Sequence, residues 1–458
     1  MEASRSWWRR GGSGAGRAGV PPARRALLLL LPATFFQGYD DLVLGLSLPL
    51  IAAEFGLTPA QAGLAVSAIQ VGSFGLLALL PLADRVGRRP VLLWTIVGYT
   101  VATAATATSR GVAELVAYQF VARACLGTEY ALATIAVVEL VPAERRGRAL
   151  GLLASMSALG MAGAGGAFLA VATLGGSWRV LYAVGAVPLA AVAGARRRLP
   201  ETAPPRGPGR PASVGSAGSA RVPGPRNLAR VASLRRLAPT LAMRRFARAL
   251  RSAGVGPRPV VAAAALSFLF AVYPTALTTF ATLLVVREWG IRPSDLDPAH
   301  VALWIGGVSG FLVAGRLADR FGRRPTSVAF LLGAAAAGLL AFRAVGATER
   351  ALGLAAVIFG LTGTTPLVSA LTTEPFPPEV RGRVGAVTRT AGLLGASVAP
   401  GLTGALAGAT GSVGRALSLV ALSYALAVPA ALALPEPGPE PSDPPERPDR
   451  ILRADPPE

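Results

Sequence analysis

The stretch Asp84-Arg85-Val86-Gly87-Arg88-Arg89-Pro90 returns 235 residues later as Asp319-Arg320-Phe321-Gly322-Arg323-Arg324-Pro325, and each copy lies between two long apolar runs. A second pair of strings keeps the same offset. Glu139 and Pro142-Ala143-Glu144-Arg145-Arg146-Gly147-Arg148 answer to Glu374 and Pro377-Pro378-Glu379-Val380-Arg381-Gly382-Arg383. Two different strings in register at one spacing imply a chain built by doubling, with two equivalent halves related as parallel repeats.

The 458 residues are 52% hydrophobic and only 15% charged, too apolar for a soluble domain of this length. The composition is that of an integral membrane protein. Windows of about 20 apolar residues place twelve helical spans near 26–51, 61–83, 90–108, 113–140, 148–172, 178–196, 260–286, 300–318, 326–344, 351–373, 384–408 and 414–434. The apolar runs are continuous and do not alternate, so the expected fold is an all-α membrane protein of two pseudo-symmetric six-helix bundles. The domain reading is a basic N-terminus over 1–25, a first half over 26–196, a Pro-, Gly- and Arg-rich linker over 197–258, a second half over 259–434 and an acidic tail over 435–458. Within the linker, residues 227–252 set Leu228, Val231, Leu234, Leu241 and Phe246 among arginines. That pattern fits either an interfacial basic helix or an unstructured spacer.

A formal charge of +21 raises nucleic-acid binding, but the arginines fall in particular short connections and form no single patch. They report orientation: the loops after the even-numbered spans are the arginine-rich ones, which puts them and both termini in the cytoplasm of a cell or inner membrane. One cysteine, Cys125, and one histidine, His300, exclude a disulfide framework and give no metal-ligand spacing. No phosphate-cradling glycine loop with lysine and no Ser-His-Asp pattern is present, which argues against an ATP-driven pump or a hydrolase. No cofactor is expected, and no enzyme activity. The expected partners are lipid, a small solute and protons, with the chain acting as a monomer. The opening arginines and Ala26-Leu27-Leu28-Leu29 mimic a secretory signal, yet the apolar run continues to Ile51, so an uncleaved first span is expected.

From Phe36 to Leu434 the chain resembles the major facilitator superfamily. The resemblance rests on Leu82-Ala83-Asp84-Arg85-Val86-Gly87-Arg88-Arg89, on Gly315-Arg316-Leu317-Ala318-Asp319-Arg320-Phe321-Gly322-Arg323-Arg324, on Arg123 with Gly127, on Ser177-Trp178-Arg179 and on Leu199-Pro200-Glu201-Thr202. It implies a transporter working by alternating access, with Asp84, Asp319, Glu144 and Glu379 in a cytoplasmic latch. Arg85, Gly87, Arg88, Glu139, Arg146, Arg320, Gly322, Arg323, Glu374 and Arg381 complete that expected gate. A carboxylate at a helix end beside arginines on a glycine turn can accept charge-assisted bonds and cap a neighbouring helix. The alternative is that these residues only fix topology and loop shape. Where the second copy opens with Gly315 the first has Leu80, which questions close helix approach there.

Ionisable groups inside the spans are the sharper signal, because a charge in hydrocarbon costs several kcal/mol unless it is paired, wet or neutralised. The first span holds Gln37, Tyr39, Asp40 and Asp41, and the two aspartates point about 100° apart. Gly38-Tyr39-Asp40 resembles a first-helix pattern of the proton-coupled organic-acid and sugar branches. The fourth span offers Gln119, Arg123, Tyr130 and Thr134 on one face and Glu129 on another, facing a cavity or a neighbouring helix. Arg389, about two turns inside the eleventh span, is a candidate for an anionic solute or for snorkelling. Tyr273, Thr278 and Thr279 either bind solute or join helices. The expectation is a small-solute transporter working by proton symport, since Gly160, Gly163, Gly165 and Gly166 of the fifth span lack the Gly-Pro pair of the superfamily's antiporter signature; proton-coupled export of drugs or metabolites is the alternative. A sensor that kept the fold is the alternative of another class.

Overall fold

The computed structural model describes residues 22–141, 143–186, 246–248, 250–291, 299–344 and 346–435, and the regular structure within them is helical. In the first half the spans are Pro22–Glu54, then Pro59–Val71 joined through a 3-10 turn at Gly72–Phe74 to Gly75–Val86, then Arg88–Thr106, Val112–Leu140 and Ala143–Thr173. The sixth span is described over 178–186. The second half repeats the order with Pro257–Arg287, Ala299–Phe321, Arg323–Ala341, Ala347–Thr373, Pro378–Thr410 and Val413–Ala433. Eight of the described helices contain an 18-residue stretch apolar enough to cross a bilayer. The first, third, sixth and eighth keep their places in the repeat and complete the twelve.

A helix satisfies its own backbone, the condition for crossing hydrocarbon. The many hydroxyls follow the same rule: Thr95, Thr100, Thr372 and Ser397 each donate to the carbonyl four residues earlier. Two boundaries correct the sequence reading. The Pro-x-Glu-x-Arg-Gly-Arg strings are not loops but the first turns of the fifth and eleventh helices, which begin at Ala143 and Pro378 and not at 148 and 384. Proline at the first helical position and Glu379 in the first turn suit a helix start, and an apolar window misses such charged turns.

Helix packing repeats between the halves: first on fifth as seventh on eleventh, second on fourth as eighth on tenth, third on fourth as ninth on tenth. Each half's second and third spans are joined at a glycine with a backbone that only glycine adopts readily, φ 106° and ψ 151° at Gly87, φ 89° and ψ 158° at Gly322. The repeated motif is therefore built around that turn. Among the described residues, no heavy atom outside its own helix lies near enough to Gly315 to crowd an added side chain. Leu80 at the matching place thus breaks no close approach.

Across the seam, the described packing joins the first span to the seventh and the second to the eleventh. Gly63 and Gly404 lie against each other's helices, at the Pro400 and Pro59 carbonyls, with no room for a methyl group. The Gly401 amide donates to Ser67 Oγ at 2.7 Å. These contacts use the first turns of the second span and the last turns of the eleventh, at the end of the molecule remote from the arginine strings.

The N-terminal residues 1–21, the linker over 187–245, Leu199-Pro200-Glu201-Thr202 with it, and the tail from 436 lie outside the described residues. So do the side chains of Glu139, Glu144, Arg145, Arg146 and His300. Of the 227–252 segment, 246–248 and 250–252 are helical, with Phe246 and Leu250 packed on the core.

Candidate functional site

Spacing on the first span sets the site. Gln37, Asp41 and Gly45 are four residues apart and share a face, and Gly45 meets the Thr278 carbonyl of the seventh span. Asp41 therefore sits one turn, about 6 Å along the axis, from the point where the halves touch. Its side chain is 39% exposed. Asp40, turned away, is 1% exposed and faces the third and fourth spans.

Arg123 of the fourth span holds both. Its Nη1 is 2.5 Å from Asp41 Oδ1, and its Nη2 is 4.0 Å from Asp40 Oδ2 and donates to the Asp40 carbonyl at 3.4 Å. Tyr99 of the third span closes the group: its hydroxyl bonds the Phe36 carbonyl at 3.3 Å and also faces the Asp40 carboxylate. Two carboxylates around one guanidinium leave one negative charge in excess, and one added proton makes the cluster neutral. Asp40 Oδ2 and Gln37 Oε1 are buried without a hydrogen-bond partner among the described residues. Tyr39 does not join the cluster; its hydroxyl donates to the Leu181 carbonyl of the sixth span at 2.8 Å.

Other predicted residues lie apart. Gln119 is buried and donates to Thr106 Oγ1 at 3.0 Å. Glu129, 3% exposed, accepts from Thr95 Oγ1 at 2.8 Å. Both face the third span, so the fourth-span stripe faces a neighbouring helix at Gln119 and the first-span aspartates at Arg123. Tyr130 is half-buried, and Thr134 bonds back to its carbonyl. Arg389 is exposed on the eleventh span, on the side opposite the exposed Leu394, Val398 and Leu402. Tyr273 is fully buried edge-on to Tyr424 and belongs to the core, whereas Thr278 is exposed at the seam.

At the arginine end, Asp84 and Arg88 approach to 3.9 Å across the Gly87 turn. Arg323 pairs with Glu374, linking the ninth span to the end of the tenth. Their counterparts 235 residues earlier are Arg88 and Glu139. Arg381 Nε donates to the Phe376 carbonyl at 3.1 Å, while Arg85, Asp319, Arg320 and Glu379 are exposed. Sequence reasoning missed Tyr99 and Ser67, and it missed the clasp at the far end. There Glu54 takes Trp178 Nε1 at 2.6 Å and Arg179 Nη1 at 2.8 Å, and Arg179 Nη2 reaches the Ser109 carbonyl at 2.8 Å. A tyrosine in mid-span was the available signal for Tyr99. The other contacts had none, since they depend on which helices cross.

Two repeated helix bundles, with a charged cluster in the first half one turn from their contact, define a polytopic membrane protein of the two-halved kind. The chain belongs to the Major Facilitator Superfamily, whose model matches residues 30–313 and 264–457. Among relatives it is similar to the gallate transporter of Pseudomonas putida, 28% identical over 370 residues, covering 78% of this chain and 79% of that protein. It is also similar to the niacin transporter NiaP of Acinetobacter baylyi, 30% identical over 171 residues, 37% of this chain and 38% of NiaP. That second match spans well under half of the relative. A bacterial homologue of the human lysosomal transporter Spinster, solved in an inward-facing, unoccupied conformation, shares the fold with a TM-score of 0.69 at 15% identity, covering 91% of this chain and 98% of its own.

Proposed function

We propose that the protein is a secondary transporter that moves a small organic solute across a cell membrane by proton-coupled uptake. The observation that carries this reading is the Asp40–Asp41–Arg123 cluster, placed one turn from the contact between halves and reached from the seam through Asp41. Its excess negative charge is costly whenever the halves close over it, and cheap while water reaches it. A proton taken up on one side neutralises the group, lets the halves rock, and leaves on the other side. Gln37, one turn along the same face, supplies an acceptor and donor pair toward a solute, as does Thr278 with its hydroxyl. A small organic solute is also what the names of the gallate and niacin relatives describe.

With the arginine loops in the cytoplasm, the contact of Gly63 with Gly404 closes the outer end in this reading, and solute would enter and leave from the inner end in the same state. Ser67 and Gly401 hold the outer side shut. In this scheme the Arg323–Glu374 pair and its counterparts shape the inner ends of the helices as they part and meet.

Asp40→Asn removes the titrating oxygen and keeps shape. It is expected to abolish accumulation driven by a pH gradient in proteoliposomes, at least a tenfold loss, while exchange of solute without a gradient persists. Gradient-driven uptake that matches the unmodified protein would remove Asp40 from the coupling.

A further inference from the structure

The eleventh helix carries Gly382, Arg389, Ala396, Pro400 and Ala407 within about 20° of one direction, opposite the exposed Leu394 and Leu402. That face changes character along its length. Toward the outer end Pro400 and Ala407 are buried, whereas Ala396 is half-buried and Arg389 and Gly382 are exposed toward the arginine end. Both halves flank it: Gly401 and Gly404 lie on the second span, and Gly392 and Gly395 face the Ser267 and Phe268 carbonyls of the seventh. Arg389 therefore points between the second and seventh spans, into the space the halves enclose, and does not snorkel to lipid.

Its depth follows from the same contacts. From Gly401, bonded to Ser67, Arg389 lies about 18 Å toward the arginine end, and from Ser67 the Gly75 that meets Ala124 lies about 12 Å in that direction. Arg389 is thus about 6 Å, one turn, farther in than the Arg123–Asp41 pair. Gln37, one turn inward of Asp41 on the first span, stands at the same depth, and its Oε1 has no hydrogen-bond partner among the described residues. No acid among the described residues lies within ion-pair distance of Arg389, and Gly385, one turn before it, has open space where a side chain would stand.

A planar guanidinium that faces a cavity deep in a span, without an acid beside it, can take a planar oxyanion through two parallel hydrogen bonds. One guanidinium balances one negative charge. A carboxylate leaves the pair neutral, whereas a phosphate dianion leaves a charge to be sealed in.

We infer that the solute is a small organic monocarboxylate, with its carboxylate on Arg389 and Gln37 within reach of its polar substituents. Transport of that acid rests on the proposed function; its binding does not. In that scheme the two loads are tied together by charge. A proton neutralises the first-half cluster and the carboxylate neutralises Arg389, so the halves close over no net charge. Empty, the excess negative charge of the cluster and the positive charge of Arg389 face each other and cancel. Either load alone leaves a charge sealed between the halves, which is costly.

Binding is measured by calorimetry on the purified protein, with no pH gradient, for benzoate, nicotinate and gallate and for the primary amide of each. At least one acid is expected to bind, on the order of tenfold tighter than its amide. Arg389→Gln, an exposed change checked for folding by thermal unfolding, is expected to erase that preference, and Arg389→Lys to keep part of it. Binding of none of the three acids, amides that bind as tightly as their acids, or a preference that survives Arg389→Gln overturns the assignment, and the first two outcomes need no variant. Should the preference stand while a pH gradient drives no accumulation, the proton-coupled reading fails and the carboxylate site holds.

Discussion

Where the first half places Asp40, Asp41, Arg123 and Glu129, the second places Thr275, Ala276, Ile358 and Thr364 at the same offset, whereas Gly87 and Arg88 return unchanged as Gly322 and Arg323. The interior of the second half is filled by rings instead, with Phe270 stacked on Tyr424 at 5.7 Å and Tyr273 edge-on to it at 5.4 Å. Both halves nevertheless reach the same helix order and packing. What repeats is the glycine turn with its flanking charges and the packing of the helices; what does not repeat is the buried Asp–Arg cluster inside the spans. An architecture doubled in this way can concentrate its titrating groups in one bundle.

The contrast can be broken most forcefully at the cluster. Arg123→Leu strands two carboxylates in the first half and is expected to cost about 3–5 kcal/mol. Ile358→Val, at the equivalent place in the second half, is expected to cost about 1 kcal/mol. Thermal or denaturant unfolding in detergent measures both, and similar losses would mean that the two interiors are energetically alike. The turns should behave in the opposite way. Gly87→Ala and Gly322→Ala each force a side chain into a conformation reserved for glycine, at about 1–3 kcal/mol apiece. A large inequality between them would show that the repeated turn is not an equivalent element in the two halves.

The smallest effect is expected at the far ends, where each half ties the end of its first helix to the start of its sixth by one glutamate. Glu288 accepts from Ser412 Oγ at 3.0 Å and the Gly414 amide at 3.1 Å, and from the Val413 amide between them. Partial burial works against the charged form of Glu54, but the bonds from Trp178 and Arg179 outweigh it and hold the carboxyl below its ordinary 4.5. A lowered value means stability that is present at neutral pH and is lost as pH falls below about 4.5 through the folded value. Glu54→Gln should flatten the acid side of a melting-temperature profile and leave the neutral side within a few degrees. An unaltered acid limb would show that the clasp holds through packing of Trp178 alone.

Much of this was legible in the chain. Two strings at one spacing revealed the doubling, and apolar windows placed the spans to within a few residues except where charged first turns preceded them, as at Ala143 and Pro378. The aspartates and Arg123 announced themselves because charges in hydrocarbon need a reason. Their division of labour did not, since adjacent residues on a helix differ by direction and only the neighbours decide which one faces the seam. Glu129 and Gln119 look like site residues by type, yet Thr95 and Thr106 of the third span claim them, a pairing that depends on how two helices cross. The Ser67–Gly401 bond joins positions 334 residues apart, and nothing in either string foretells it.

Pro400 lies inside the eleventh helix, beside the amide that reaches across to Ser67. Lacking an N–H, it leaves the Ala396 carbonyl without its helical donor, so the rod is softest where it is gripped. From there to Pro378 the helix extends about 33 Å, and a tilt of about 10° at this point sweeps the arginine-bearing tip through about 6 Å. Fulcrum and grip coincide, so a small flexure at the sealed end is amplified at the other.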